Sequence, residues 1–281
     1  MRIVVGGISH QRATVESYLR HMAALRVPPG AEVEYLWVAD GDVGATIRDI
    51  LPHAAQINVR GVTESARYAR KEPNKQRAYQ RLGYLRDLLG ATALEMGCDA
   101  LVAVDSDIIV PPDLIERLAE VGLPWVGALV RNTPEFLRYG TRPSVHLEDS
   151  AWNVLTVPPP RTGRPLFQHF KPIGDDGLGN VWPTAVIGWM PQDSSREPRL
   201  VTGAVAWYSR ELLGKAHWSC LVAGPADLCG CQCNGEDIAF GLRALDAGFS
   251  AWYIPLICEH LMDETAMEAH RASCPTCHSP A

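Results

Sequence analysis

Asp99-Ala-Leu-Val-Ala-Val-Asp-Ser-Asp-Ile-Ile-Val-Pro-Pro-Asp113 is the stretch that decides how this chain folds. Between Asp99 and Asp105, the residues Leu101, Val102, Ala103 and Val104 form a short, continuous apolar run. Such a run predicts a strand buried on both faces, as strands of parallel sheets are. Its carboxyl end carries Asp105 and Asp107 with only the small Ser106 between them. In open α/β sheets, ligands bind just beyond the carboxyl ends of the strands. Two carboxylates this close repel each other unless a cation lies between them. Carboxylate oxygens suit hard cations such as Mg²⁺ or Mn²⁺, which in turn suit a diphosphate. The plain alternative is a strand followed by a polar turn, and the rest of the chain has to decide.

At 281 residues the chain is long enough for one large α/β domain or two small ones. Apolar residues make up 47% and charged residues 21%, as in ordinary globular proteins. A net charge of −6 speaks against a protein that coats nucleic acid or an anionic membrane. No apolar run reaches the roughly 20 residues that span a bilayer. Met1-Arg-Ile-Val-Val5 enters a strand directly, without a signal-peptide pattern. The expectation is therefore a cytoplasmic protein, whose eight cysteines are thiols or metal ligands rather than disulfides.

Residues 3–8 read as the first strand. Val15, Tyr18, Leu19, Met22 and Leu25 then recur at helical spacing before Pro28-Pro-Gly30 stops the helix. Residues 33–39 form a second strand that runs into Asp40-Gly-Asp42, followed by a short helix over 47–51 and a strand over 56–62. Residues 75–96 carry the single apolar stripe of a long helix (Tyr79, Leu82, Leu85, Leu89, Ala93, Met96), with Gly97 as its stop. After the central strand a helix opens at Pro112-Asp113, and residues 125–130 add another strand. This alternation implies a doubly wound, mainly parallel sheet through about residue 130. Residues 131–200 break the pattern with Pro158-Pro-Pro160 and Gly174-Asp-Asp-Gly-Leu-Gly179. They read as a long irregular insertion, of the kind that serves as a lid or substrate channel. Order returns with a strand over 200–208, a short helix over 210–213 and a Cys-rich loop. A helix opened by Gly235-Glu-Asp237 and ended by Gly248 comes next. A last strand over 251–254 leads to Glu259-His260 and a polar tail.

Four segments carry a resemblance. Asp105-Ser-Asp107 follows a buried strand; Thr202-Gly-Ala-Val-Ala-Trp-Tyr-Ser-Arg210 is a strand with its flanks; Gly235-Glu-Asp-Ile-Ala-Phe-Gly-Leu-Arg243 opens a helix; Tyr253-Ile-Pro-Leu-Ile-Cys-Glu-His260 closes the ordered part. In this order they resemble the D-x-D motif, the strand before the acceptor site, the helix that starts with the catalytic base, and the closing strand of GT-A-fold, D-x-D-containing glycosyltransferases of the family 2-like kind. The resemblance covers most of the chain apart from 131–200. It implies one Rossmann-like GT-A domain over 1–281, with a nucleotide-sugar-binding half at 1–130, an acceptor-binding half at 131–265 and a Cys-containing tail at 266–281.

The same resemblance implies roles for single residues. Asp107, at an exposed strand end, His260 and Asp105 would hold Mn²⁺ or Mg²⁺. In such enzymes the second Asp binds metal directly, while the first reaches the donor ribose. Ser9, Asp40, Arg86, Asp105 and Ser106 would face the nucleotide sugar, although Arg86 reads equally as a solvated helix residue. Asp237 would be the general base, with Glu236 beside it as acceptor contact or helix cap. A helix N-terminus favours the ionised carboxylate that a base requires. A divalent cation would stabilise the charge that develops on a departing nucleoside diphosphate. Gly6-Gly7 makes no G-x-G-x-x-G fingerprint, which disfavours a nicotinamide-binding domain.

Two features stand outside this scheme. The basic residues Arg60, Arg67, Arg70, Lys71, Lys75, Arg77, Arg81 and Arg86 form a solvated helix face, or else line the approach of an anionic acceptor. Cys229, Cys231 and Cys233, with Cys274 and Cys277, are either the halves of a structural zinc site or reduced thiols in a loop and a tail. The function expected is a metal-dependent, inverting transfer from a nucleotide sugar to the hydroxyl of a glycan, small molecule, protein or nucleic acid. Its rivals are a catalytically inactive, zinc-containing binding module of the same fold and a sugar-phosphate nucleotidyltransferase. The latter wants a Gly-rich, Arg-containing loop where Gly6-Gly-Ile-Ser-His10 stands.

Overall fold

The computed structural model describes residues 1–9, 12–59, 75–132, 151–156, 166–170, 188–189, 199–201, 203–219 and 236–260. Four parallel strands form its centre: β1 (Arg2–Ser9), β2 (Glu32–Ala39), β3 (Ala55–Asn58) and β4 (Ala100–Val104), lying side by side as β3-β2-β1-β4. Helix α1 (Arg12–Ala23) connects β1 to β2, α2 (Gly41–Ile50) connects β2 to β3, and α3 (Lys75–Glu95) leads into β4. Strand alternation sorts the apolar side chains into two cores. Ile3, Val5, Trp37, Val102 and Val104 pack with Tyr18, Leu19 and Met22 of α1, whereas Val4, Ile8, Leu36, Val38 and Leu101 pack with Leu85 and Leu89 of α3. With both faces of the sheet covered, β4 has no solvent side, hence its unbroken apolar run.

The chain continues through β5 (Ile108–Ile109), α4 (Leu114–Val121) and β6 (Trp125–Asn132). Four short strands follow: β7 (Ala151–Thr156), β8 (Leu166–Phe170), β9 (Gly188–Trp189) and β10 (Arg199–Leu200). Then come β11 (Val205–Ser209), α5 (Arg210–Leu213), α6 (Glu236–Asp246) and β12 (Trp252–His260). β11 inserts between β4 and β6 and runs antiparallel to both, while β12 runs parallel to β6. Among the described residues no helix is long and apolar enough to cross a membrane.

Three expectations need correction. The helix expected over 47–51 begins at Gly41: buried Val43 stands four residues before buried Ile47 on its inner face, but Gly41, Asp42 and Gly44 around it read as a turn. The insertion at 131–200 is not wholly irregular: β7 pairs antiparallel with the end of β6, with β8 and with β10, and β9 pairs with β12. Strands of two to six residues carry too little alternation to be read. The last strand extends to His260 rather than to 254. Pro255 interrupts its pattern, and the ladder passes this place by a register shift between Ile254 and Ile257, a bulge of the kind that accommodates proline.

Helix α1 does more than cover the sheet. Tyr18 and Thr14, one turn apart and on one face, both reach the carboxyl end of β4. The Tyr18 hydroxyl donates to the Val104 carbonyl at 3.0 Å and accepts from the Trp37 indole at 3.1 Å, and the Thr14 hydroxyl donates to the Ser106 carbonyl at 2.8 Å. Gly7 permits this close approach, since a Cβ there would overlap the Val104 carbonyl. Tyr18→Phe keeps the ring but leaves the buried Trp37 N–H without its acceptor. The variant should fold normally by circular dichroism and lose about 1–3 kcal/mol of stability in urea unfolding.

Candidate active site

The D-x-D turn is held from both sides. Val104 and Ser106 are fixed by α1, and the Ile108 amide donates to the Asp105 carbonyl at 3.0 Å, closing the turn into β5. Two-residue β5 then pairs with the end of β12, placing His260 opposite Ile108 and Glu259 opposite Ile109. The outcome is a contact between residues 153 apart in sequence: His260 Nε2 lies 3.3 Å from Asp107 Oδ2. Asp107 is not at an exposed strand end, as expected, but buried, with 10% of its side chain open. Two ligands each roughly 2.1 Å from one ion, at a right angle, stand about 3 Å apart. The spacing of this carboxylate and imidazole therefore fits a shared divalent cation. Among the described residues no three His, Cys, Asp or Glu side chains converge as a metal-holding group. Asp107 and His260 stand as a pair.

Asp105 is engaged elsewhere. Both of its oxygens accept from one terminal nitrogen of Arg86, at 3.0 and 3.1 Å. Arg86 is not a solvated helix residue: its side chain is 7% exposed. It also donates from Nε to Glu236 Oε1 at 3.3 Å and from its other terminal nitrogen to the Gly203 carbonyl at 3.1 Å. Asp237 Oδ1 stands 3.9 Å from Arg86 Nε, and among the described residues it accepts no hydrogen bond. One cation thus faces three carboxylates from two separate elements.

Burial pushes the Glu236 carboxyl up to about 7, Asp237 pushes it the same way, and Arg86 opposes both. Burial likewise lifts Asp105 to about 6, with Arg86 pulling it down and Asp107 and Asp237 adding to the rise. With 28% of its side chain open and both oxygens on a guanidinium, Asp105 stays an anion at neutral pH. The guanidinium keeps its proton against the opposing effect of burial, because Asp105, Asp237 and Glu236 all favour the charged form.

The other residues expected to face a donor lie at the same sheet edge. Ser9 ends β1 beside Ala39 of β2, and Asp40 follows as the residue ahead of α2, its side chain making no cap bond to that helix. Ser9 and Ser106 are fully buried, and neither hydroxyl has a hydrogen-bond partner among the described residues. Cys229, Cys231, Cys233, Cys274 and Cys277, and the basic residues from Arg60 to Lys71, lie outside the described residues. The described cysteines, Cys98 and Cys258, are buried free thiols.

No family model matches the sequence, and no curated protein does. Solved structures do. A structure of GalNAc-T7 with UDP, GalNAc and Mn²⁺ aligns with 92% of this chain at a TM-score of 0.53 and 12% identity. The fold is GT-A. A mannosyltransferase from Pyrobaculum calidifontis, solved with GDP-Man and Mn²⁺, aligns with 96% of the chain at a TM-score of 0.45 and 15% identity. A 1–349 fragment of S. aureus TarS aligns with 92% at a TM-score of 0.47 and 13% identity. This chain spans 44% of the GalNAc-T7 chain, 59% of the mannosyltransferase and 60% of the TarS fragment.

Thr14, Tyr18 and Gly203 escaped the sequence reading. Thr14 and Tyr18 share a helix face, which is the signal that was available; Gly203 sits in the quoted Thr-Gly-Ala run ahead of a strand. In this GT-A site Gly203 is required by space, since a Cβ would stand 2.5 Å from Asp237 Oδ1 and 2.6 Å from Arg86 Cζ. Gly203→Ala should force Arg86 and Asp237 apart and cost about 1–3 kcal/mol in chemical unfolding, as overpacking does. Gly214→Ala, where the nearest atoms are 3.5 Å away, is the control and should change stability much less.

Proposed function

We propose that the chain is a metal-dependent glycosyltransferase that moves a sugar from a nucleotide-sugar donor to an acceptor hydroxyl with inversion, Asp237 acting as general base. The observation that carries this reading is the 3.3 Å approach of His260 to Asp107, together with carboxylates at the start of α6 that reach the same turn through Arg86. The GT-A fold supports it, as does the GalNAc-T7 structure of like fold, which holds UDP, GalNAc and Mn²⁺. The buried, unpartnered hydroxyls of Ser9 and Ser106 support it further. Leaving such groups unsatisfied is costly, and donor oxygens would give them partners.

The chemistry is a single displacement. The acceptor oxygen bonds to the anomeric carbon while the bond from that carbon to the donor phosphate oxygen breaks, and the electron pair leaves with the nucleoside diphosphate. The acceptor proton passes to Asp237, whose Oδ1 carries no competing hydrogen bond from the described residues. Asp237 lies in the first turn of α6, with Arg86 Nε 3.9 Å from its Oδ1. When held by Asp107 and His260, Mn²⁺ or Mg²⁺ supplies positive charge against the leaving diphosphate.

A ligand that binds only the folded chain raises its melting temperature by mass action. UDP or GDP with Mn²⁺ should therefore stabilise the protein, and EDTA should remove the shift. Asp107→Asn should abolish the Mn²⁺-dependent part; an undiminished shift in that variant would sink the metal assignment. Asp237→Asn should keep the shift but lower transfer by about 10²-fold or more, as loss of a general base does. Normal transfer by this variant would remove Asp237 from the role.

A further inference from the structure

Arg86 is the buried charge to which a donor-binding reading gives no free hand. Each of its three guanidinium nitrogens already has a partner within 3.3 Å: Glu236, the Gly203 carbonyl and Asp105. These partners come from the turn after β4, from two residues ahead of β11 and from the first turn of α6, up to 150 residues away. A planar fork can meet such a set at once, and a lysine ammonium cannot. The next residue on α3 holds the backbone that leaves α5. The Asp87 carboxylate accepts from the Trp218 and Ser219 amides at 2.6 and 2.9 Å. Adjacent residues of one helix thus grip the chain at 218–219 and again at 236.

We propose that Arg86 is a positioning residue, a single internal cation that fixes Asp237 against the D-x-D turn by binding Asp105 on one side and Glu236 on the other, and that it does not bind the donor. The inference rests on the reading of Asp237 as base. Gly203 supports it from a separate direction, because a Cβ there would overlap both Asp237 Oδ1 and the Arg86 guanidinium. The consequence is that loss of the fork misplaces the base without loosening the nucleotide.

The test uses the full chain and, as donor, the sugar conjugate of whichever nucleotide, UDP or GDP, stabilises it. Arg86→Lys should lower kcat by about 10-fold or more while the donor KM changes less than about 3-fold, the pattern of an interaction felt mainly in the transition state. In an Asp237→Asn background the same change should cost less than about 2-fold, since a residue that acts through another has nothing left to position. A raised donor KM at constant kcat would overturn the proposal in favour of donor binding. Losses that multiply in the double variant would overturn it as well. A second arm needs no substrate. Arg86→Met should lower the melting temperature by several degrees, and adding Glu236→Gln should recover part of that loss, because one unpaired buried carboxylate is gone. Additive losses would overturn the clamp. Coupling in stability without transfer from any donor would overturn the transferase reading and leave the clamp standing.

Discussion

Placing Arg86 inside α3 removes a full positive charge from water, a step costing several kcal/mol unless anions and hydrogen bonds replace the lost solvent. Asp105, Glu236 and the Gly203 carbonyl are that replacement. They constrain much of the architecture. β11 has to run against β4 so that the residues ahead of it reach the sheet edge at Gly203, and α6 has to begin beside that point. The compensation overshoots, with three carboxylates for one cation, and burial then pushes Asp105 and Glu236 upward. Three carboxylates and the unpartnered hydroxyls of Ser9 and Ser106 thus gather at one edge of the sheet.

How much of this was legible in the sequence depends on how far apart the interacting residues lie. β4 could be read because burial on both faces writes itself into consecutive residues. The stripe of α3 could be read because burial of one helix face recurs at local, helical spacing, and Gly97, in the left-handed region at φ +80°, ended it as expected. The acidic pair of Asp105 and Asp107 is local and was visible. Arg86 showed its charge but not its three partners, which lie 19 to 150 residues away. Tyr18 was read as an apolar rib of α1, which it is, yet hydropathy does not register a hydroxyl that fastens β4 to β2. The His260 contact with Asp107 was expected from the resemblance alone, because neither residue's neighbours announce a strand pairing through two-residue β5.

The site gains rigidity from where its parts sit. The D-x-D turn is stapled by two buried hydroxyls of one helix, and the Glu236–Asp237 corner by one guanidinium. These supports are side chains of α1 and α3, which belong to the two opposite cores of the sheet. Damage to either core is therefore felt at the sheet edge as a shift of one half of the site against the other.

The bulge in β12 carries a rule about permissible chain length. Between Ile254 and Ile257 the strand takes three steps while β6 takes one, from Ala128 to Leu129. The surplus is two residues, and because side chains alternate with a period of two, an even surplus leaves every later residue on its original face. Losing both extra residues would straighten the strand and still deliver an imidazole to Asp107. Losing one would leave a single extra residue opposite β6, which an ordinary bulge absorbs, so the ladder from Ile257 to His260 keeps its register. The bulge is thus a buffer for chain length: a change of a residue or two at this position alters the bend of β12 and leaves the His260 end of the ladder in place.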